Sequence, residues 1–242
     1  MWQELREELR PQGLEIVTVG IDTLGAEGCR PYIEAASPTH PSLIDQYHAV
    51  AEKFGVVNIP NGVWIDEDGM IVRPAETAPT LRREAPAPAG GMELPDRAVA
   101  IFTEAAKIQT DPQAYDAALR DWVAKGADSE FALSPDEVVA RSRPRSADES
   151  LGQAHFEMAS HLELHGDHEG AVRHFREAHR LVPGNFSYRR QAWSLEPSVE
   201  GPLARFWQGP APGAEADWPY ESEWLADVQA KGAENYYETW TP

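Results

Sequence analysis

The sequence predicts an α/β domain over residues 1–74 followed by an all-helical region. Short apolar runs alternate with helix-forming segments in the first part of the chain. Two of those runs are joined by an acidic turn ending in glycine, which is the pattern of an antiparallel hairpin. Further along, capping motifs and helical spacing of apolar residues replace the strand pattern.

The chain opens with a helix that leads into a strand. Residues 3–10 are strong helix formers, and Pro11 and Gly13 end them. The run LEIVTV over 14–19 is apolar and rich in β-branched side chains, as in a buried strand. After a polar turn, a helix is expected around residues 27–36.

The next elements continue the alternation. An apolar segment at 41–44 precedes a helix over 45–54, which Gly55 closes. Apolar runs at 62–66 and 70–73 then flank the turn Asp-Glu-Asp-Gly, so two antiparallel strands are expected there. Residues 75–95 are rich in proline, alanine and glycine and predict a linker.

Residues 96–195 predict helices. A first helix is expected from about residue 96 to 108, and Asp111 and Pro112 match the cap and first position of a helix reaching about residue 125. Ser-Pro-Asp-Glu at 134–137 and Ser-Ala-Asp-Glu at 146–149 both match the capping box.

The segment 152–185 has the pattern of a helical hairpin. Small residues recur at Ala159, Ala171 and Ala178, with Gly166 at the turn and Pro183 after the second helix. This pattern resembles one tetratricopeptide repeat (TPR). His155 and Leu162 depart from it, because that family has aromatic residues at the matching positions. One repeat cannot bury both faces, so neighbouring helices are expected to cover it.

Residues 196–242 predict an aromatic-rich tail. The last fifty residues hold five of the eight tryptophans, which are Trp193, Trp207, Trp218, Trp224 and Trp240. Because large aromatic side chains are usually buried, the tail is expected to pack back onto the rest of the chain. The alternative is an exposed partner or dimer surface.

The first part of the chain resembles the thioredoxin-like fold over about residues 3–74. The most specific element is Val-Asn-Ile-Pro at 57–60, followed by the strand and acidic glycine turn at 62–69. The closest match is to the thiol-disulfide oxidoreductases of the TlpA/ResA type. In them, a proline at the position of Pro60 has a cis peptide bond. The resemblance implies that Ile59, Pro60 and Asn61 bind an extended partner segment, with Ile59 offering its own N–H and C=O.

The chain departs from that family at the redox centre. The family places a strand and a Cys-Xaa-Xaa-Cys motif before its first helix, whereas the first helix here begins at residue 2 or 3. Cys29 is the only cysteine and lies away from the catalytic position, so a structural thiol is expected, with a peroxidatic or resolving role as the alternative. Two functions remain open. One is a redox-inactive protein-binding chain, and the other is an oxidoreductase whose cysteines lie upstream of Met1.

A sheet without its first strand would expose an edge of the strand at 14–19. The aromatic tail is one candidate to cover that edge.

Composition excludes other classes. Twenty-one basic against 40 acidic residues give a net charge of −19, which disfavours binding to nucleic acids and anionic membranes. No apolar run could span a bilayer and no secretory signal is visible, so a cytoplasmic location is expected. Five histidines lie between residues 155 and 174, but their spacing is typical of a solvated helix surface, and neither a metal site nor a cofactor is expected.

Overall fold

The protein is a mixed α/β chain. The structure, a computed structural model, describes residues 2–79, 94–142, 144–196, 207–238 and 240. Its strands are β1 (Thr18–Ile21), β2 (Ser42–Asp45), β3 (Asn61–Ile65) and β4 (Ile71–Thr77). Its α-helices are α1 (Trp2–Leu9), α2 (Ala26–Ala36), α3 (Ala49–Phe54), α4 (Asp96–Ala105), α5 (Pro112–Lys125), α6 (Pro135–Arg141), α7 (Ala147–Leu164), α8 (His168–Leu181), α9 (Phe186–Ser194) and α10 (Trp224–Lys231).

Strands β1 and β2 form a parallel pair connected through α2. Thr18 pairs with Ser42 and Ile21 with Asp45. The predicted strand over 14–19 was wrong in its first residue. The observed strand begins at Thr18, because residues 14–17 have no residue of β2 opposite them to pair with. Asp45 ends β2, and its carboxylate accepts the first N–H groups of α3, so the helix predicted from residue 45 begins four residues later.

Strands β3 and β4 form the predicted antiparallel hairpin. Trp64 pairs with Arg73, and the register shifts between Gly62 and Trp64. Strand β4 runs through Pro74 to Thr77, further than predicted. Proline is tolerated in an edge strand, especially where the register is irregular. Of the predicted linker, residues 80–93 lie outside the described residues.

The predicted starts of α5, α6 and α7 are confirmed by their caps. Asp111 accepts a hydrogen bond from the Ala114 N–H at 2.8 Å, and both predicted capping boxes are formed, at the start of α6 and of α7. Helices α7 and α8 are joined at Gly166, whose φ of 80° favours glycine.

The side chains form two apolar cores. The larger one lies among α7, α8, α9 and α10 and includes Phe156, Phe175 and Trp193. The smaller one joins α1 and the β3–β4 hairpin to α5, with Trp64 and Tyr115 at its centre. Helix α5 therefore packs with the strands rather than with the later helices.

The described part of the aromatic segment contacts both cores. Trp224 and Tyr236 belong to the larger core, and Trp240 packs against the smaller one. The rest of the predicted tail, including Phe206, lies outside the described residues.

Candidate functional site

A cavity of about 940 Å³ separates β1 from β3. This volume is near the upper end of the range of about 300–1,000 Å³ for ligand pockets. Most of its walls are apolar side chains and strand backbone. The contributing regions are residues 14–21, 50–65, α5 and single residues of α1, β2, α9 and the aromatic segment.

The cavity lies on the open edges of two strands. Every residue of β1 and every residue of β3 lines it, whereas β2 contributes only Leu43 and β4 contributes none. The hydrogen-bonded neighbours β2 and β4 therefore lie on the far sides. Within the described residues, the facing edges of β1 and β3 have no strand partner. About half of the peptide groups in such an edge point away from the paired strand.

The cavity mouth is rich in exposed apolar side chains. Val17 is 51% exposed and Leu43 is 54% exposed, values that a buried core would not give. The other exposed apolar residues that line the cavity are Val50, Phe54, Ile59 and Ile65. A contiguous patch of this kind is typical of a binding surface.

Aromatic residues from β3 and α5 line another part of the cavity. The Trp64 ring stacks on Trp122 with centroids 5.1 Å apart, and its Nε1–H donates to the Tyr115 hydroxyl at 2.9 Å. Burial raises the pKa of Tyr115 to about 12, so the hydroxyl stays protonated. These contacts hold the aromatic wall in one arrangement.

The Ile59–Pro60 peptide bond at one end of the cavity is cis. The Ile59 N–H is bonded to Asn58 Oδ1 at 2.9 Å, and the Ile59 carbonyl accepts from the Tyr237 hydroxyl at 3.0 Å. The expectation that Ile59 offers both groups to a partner is therefore corrected. In the folded chain both groups already have partners.

Two other residues at the cavity carry unused polar groups. Asn61 Oδ1 is buried and has no hydrogen-bond partner among the described residues. Arg190 of α9 lines the cavity, and in the described part of the chain no ion pair or hydrogen bond engages its side chain. Sequence reasoning singled out Asn61 but missed Arg190.

Cys29 lies away from this cavity. It is buried in α2, and a Cβ placed on Gly20 of β1 would lie only 2.9 Å from its Sγ. Burial, with a smaller effect of Asp22, raises the pKa of the thiol. A neutral, enclosed thiol is a poor nucleophile.

Four of the five histidines between residues 155 and 174 lie in two pairs. His155 and His174 have their Nδ1 atoms 2.9 Å apart, and the rings of His161 and His165 are 4.1 Å apart. In the part of the chain that the structure describes, they do not join a third ligand to make a metal-binding group.

The described residues of the aromatic segment leave the β1 edge open. Among its described residues only Tyr237 lines the cavity, at the Ile59 end. The described part of the tail therefore does not cover this edge, and Trp240 packs instead against the β3–β4 hairpin.

Comparison with known protein families, curated proteins and solved structures found no match for the chain. Of the helices that the structure describes, none has the length and apolar character needed to cross a membrane.

Proposed function

We propose that this chain is a redox-inactive protein-binding module that takes an extended segment of a partner protein into the cavity between β1 and β3. The observation that carries the proposal is that two strand edges face one apolar cavity. An extended segment pairs with such edges through its main chain. One segment lying between them would complete a five-stranded sheet, in the order β2, β1, segment, β3, β4.

The thioredoxin-like and TPR-like interpretations are part of the same proposal. The first is supported by a parallel pair connected through a helix, followed by Pro60 and an antiparallel hairpin. The second is supported by the α7–α8 hairpin, in which Ala159, Ala171 and Ala178 are fully buried. In this interpretation the helical hairpins offer a second surface for the partner.

The state of Cys29 supports redox inactivity. Any thiol chemistry by this chain's own residues would need Cys29, because the chain has one cysteine. Its burial and raised pKa both oppose thiolate attack. We expect the protein to reduce insulin disulfides no faster than dithiothreitol alone. Turnover above that background that is lost in Cys29→Ser would contradict redox inactivity.

Strand addition is tested by amide hydrogen exchange with a defined probe. The probe is a fluorescein-labelled octapeptide of alternating valine and threonine with a free carboxyl terminus. At saturating peptide, the amides of Thr18–Ile21 and Asn61–Ile65 should exchange more slowly, because they become paired. A second peptide, N-methylated at alternate residues, cannot donate those bonds and should bind at least about tenfold more weakly.

Two variants test whether the peptide binds in the cavity. Val63→Arg puts a charge on the cavity wall and should abolish peptide binding, whereas Val139→Arg on α6, at a side chain 71% exposed, should not. The N-methylated peptide keeps the test valid if Val63→Arg fails to fold. Protection confined to α7 and α8, or equal binding of both peptides, would overturn strand addition.

A further inference from the structure

The cavity contains one charge that no described residue compensates. Its two charged lining residues are Glu15 and Arg190. Glu15 is held by Arg6 through two hydrogen bonds and lies 3.6 Å from Arg10, whereas none of the described residues forms an ion pair with Arg190. The neighbouring Arg189, in contrast, is paired with Asp227.

The free guanidinium belongs to the Pro60 end of the cavity. Helix α9 is tied to this end because the Ser187 N–H donates to the Val57 carbonyl at 3.1 Å. Arg190 follows Ser187 by one helical turn, so both lie on the same helix face. Tyr237 lines the cavity here too, bonded to Ile59. Arg190, the Tyr237 hydroxyl and the cis Ile59–Pro60 bond thus lie at the same end of a cavity whose lining is mainly apolar.

We infer that the bound segment carries a carboxylate that pairs with Arg190 while its apolar side chains fill the rest of the cavity. This inference rests on the proposed strand addition. A half-buried arginine beside apolar walls favours an anionic partner, because charge-assisted hydrogen bonds strengthen where water is excluded. Carboxylates are the common peptide anions and match the guanidinium fork.

The net charge of the whole protein further limits the charge that the partner segment can carry. With a net charge of −19, the chain repels acidic segments at long range. An otherwise uncharged apolar segment with a single carboxylate meets least repulsion and still satisfies Arg190. The carboxylate has two possible sources in a partner, which are its chain terminus and an acidic side chain.

The experiment compares three octapeptides of alternating valine and threonine by fluorescence anisotropy, each labelled at its amino terminus with the dansyl group, which is uncharged at neutral pH. One ends in a free carboxylate, one in a neutral amide, and one in glutamate followed by an amide. We expect the neutral peptide to bind about tenfold more weakly than one or both of the acidic peptides, since it cannot form the charge-assisted hydrogen bonds to Arg190. The better acidic peptide identifies the source of the carboxylate.

Arg190→Gln should remove the preference for the acidic peptide, whereas Arg173→Gln, which deletes an equal charge on α8 outside the cavity, should keep it. Equal binding of all three peptides to the wild type, with hydrogen-exchange protection of β1 and β3, would overturn the carboxylate inference and leave strand addition standing. Failure of every peptide to bind would overturn both. Arg190-dependent binding of dodecanoate without peptide binding would show that the occupant is a small amphiphile. Concentration-dependent dimerisation that protects the β1 and β3 amides would show that it is a second copy.

Discussion

Gln191 connects the α/β segment to the helical half through one buried side-chain oxygen. Its Oε1 accepts the Thr23 N–H at 2.9 Å and lies 3.2 Å from His48 Nε2. Thr23 also contacts Ser160 of α7, with 3.3 Å between the hydroxyl oxygens. Three parts of the chain that are far apart in sequence therefore meet at a single polar network.

Removing the Gln191 side-chain oxygen should lower the free energy of unfolding. Gln191→Leu leaves the Thr23 N–H and the His48 ring nitrogen buried without a partner, at about 1–3 kcal/mol each. We expect the free energy of unfolding in urea to fall by about 2–4 kcal/mol. Gln153→Leu, which loses two exposed hydrogen bonds, one to Glu157 and one from Arg145, should change it by no more than about 0.5 kcal/mol. Equal losses in both variants would contradict the network's role.

Acidification should destabilise the protein through His48. Burial outweighs the opposing effects of Gln191 and Asp45 and lowers the pKa of His48 to about 4. Between pH 6.5 and about 4 the unfolded histidine binds a proton that the native one does not, so stability falls as the pH falls. At pH 5 this amounts to about 2 kcal/mol relative to pH 7. His48→Asn should make the loss of unfolding free energy between pH 7 and pH 5 smaller by that amount.

His168 provides a comparison of opposite sign. Partial burial lowers its pKa, but Glu163 and Glu196 outweigh this effect and raise it. Its contribution to stability is present in acid and is lost as the pH rises through the raised pKa. His168→Asn should therefore steepen the acid loss that His48→Asn reduces. Slopes that shift in the same direction in both variants would disprove the assignment.

Gly152 sets how closely helices α7 and α8 approach each other. A Cβ at Gly152 would overlap Val182 Cγ2 and lie 3.4 Å from Leu181 Cβ. Gly152→Ala gains about 0.5–1 kcal/mol of helix propensity, but overpacking typically costs about 1–3 kcal/mol. We expect a net loss of about 1–2 kcal/mol in urea unfolding. Gly184→Ala, with no atom within 4 Å of its Cβ, should leave stability unchanged or slightly higher.

The β3–β4 hairpin is held by a buried ion pair. Arg73 is fully buried, binds Glu76 through two hydrogen bonds, and lies between the rings of Trp64 and Trp240 at 5.4 and 5.0 Å. Arg73→Met leaves the Glu76 carboxylate without this partner, which typically costs about 3–5 kcal/mol for a buried pair. Arg173→Met breaks an exposed pair with Glu169 and should cost about 0–1 kcal/mol. Urea unfolding of both variants tests the contrast.

The sequence predicted helix starts better than strand ends. Caps depend on neighbouring residues, so the starts of α5, α6 and α7 were readable from local motifs. Strand ends depend on the partner strand, and nothing near residue 14 or residue 77 indicates where that partner stops. For this reason the sequence did not predict that β4 continues through Pro74 to Thr77.

The residues that line the cavity could be predicted from the sequence only in part. The resemblance drew attention to residues 59–61 and to an open strand edge, and both lie at the cavity. Tyr115, Trp122 and Arg190 were not predicted, because helices far along the chain bring them there. Contacts between residues far apart in the sequence leave no local pattern that predicts them. A helix cap or a hairpin turn, in contrast, is predicted by residues only a few positions apart.

The strands depend on the rest of the chain for their core. Trp64 is 4% exposed in a core that it shares with Tyr115, Ala118 and Leu119 of α5, and the Trp240 ring packs against Tyr115 and Arg73. A fragment of residues 1–79 loses all of these contacts and keeps two of the eight tryptophans.

We expect this fragment to lack a cooperative urea transition and a near-ultraviolet circular dichroism signal, because a small sheet with one exposed face cannot offset its chain entropy. The whole chain should unfold in one transition, and mixing the fragment with residues 94–242 should restore the signal. A cooperative transition in the isolated fragment would show that the strands form a core of their own. In that case the cavity between β1 and β3 would belong to an independent domain, and α5 and Arg190 would be additions to it.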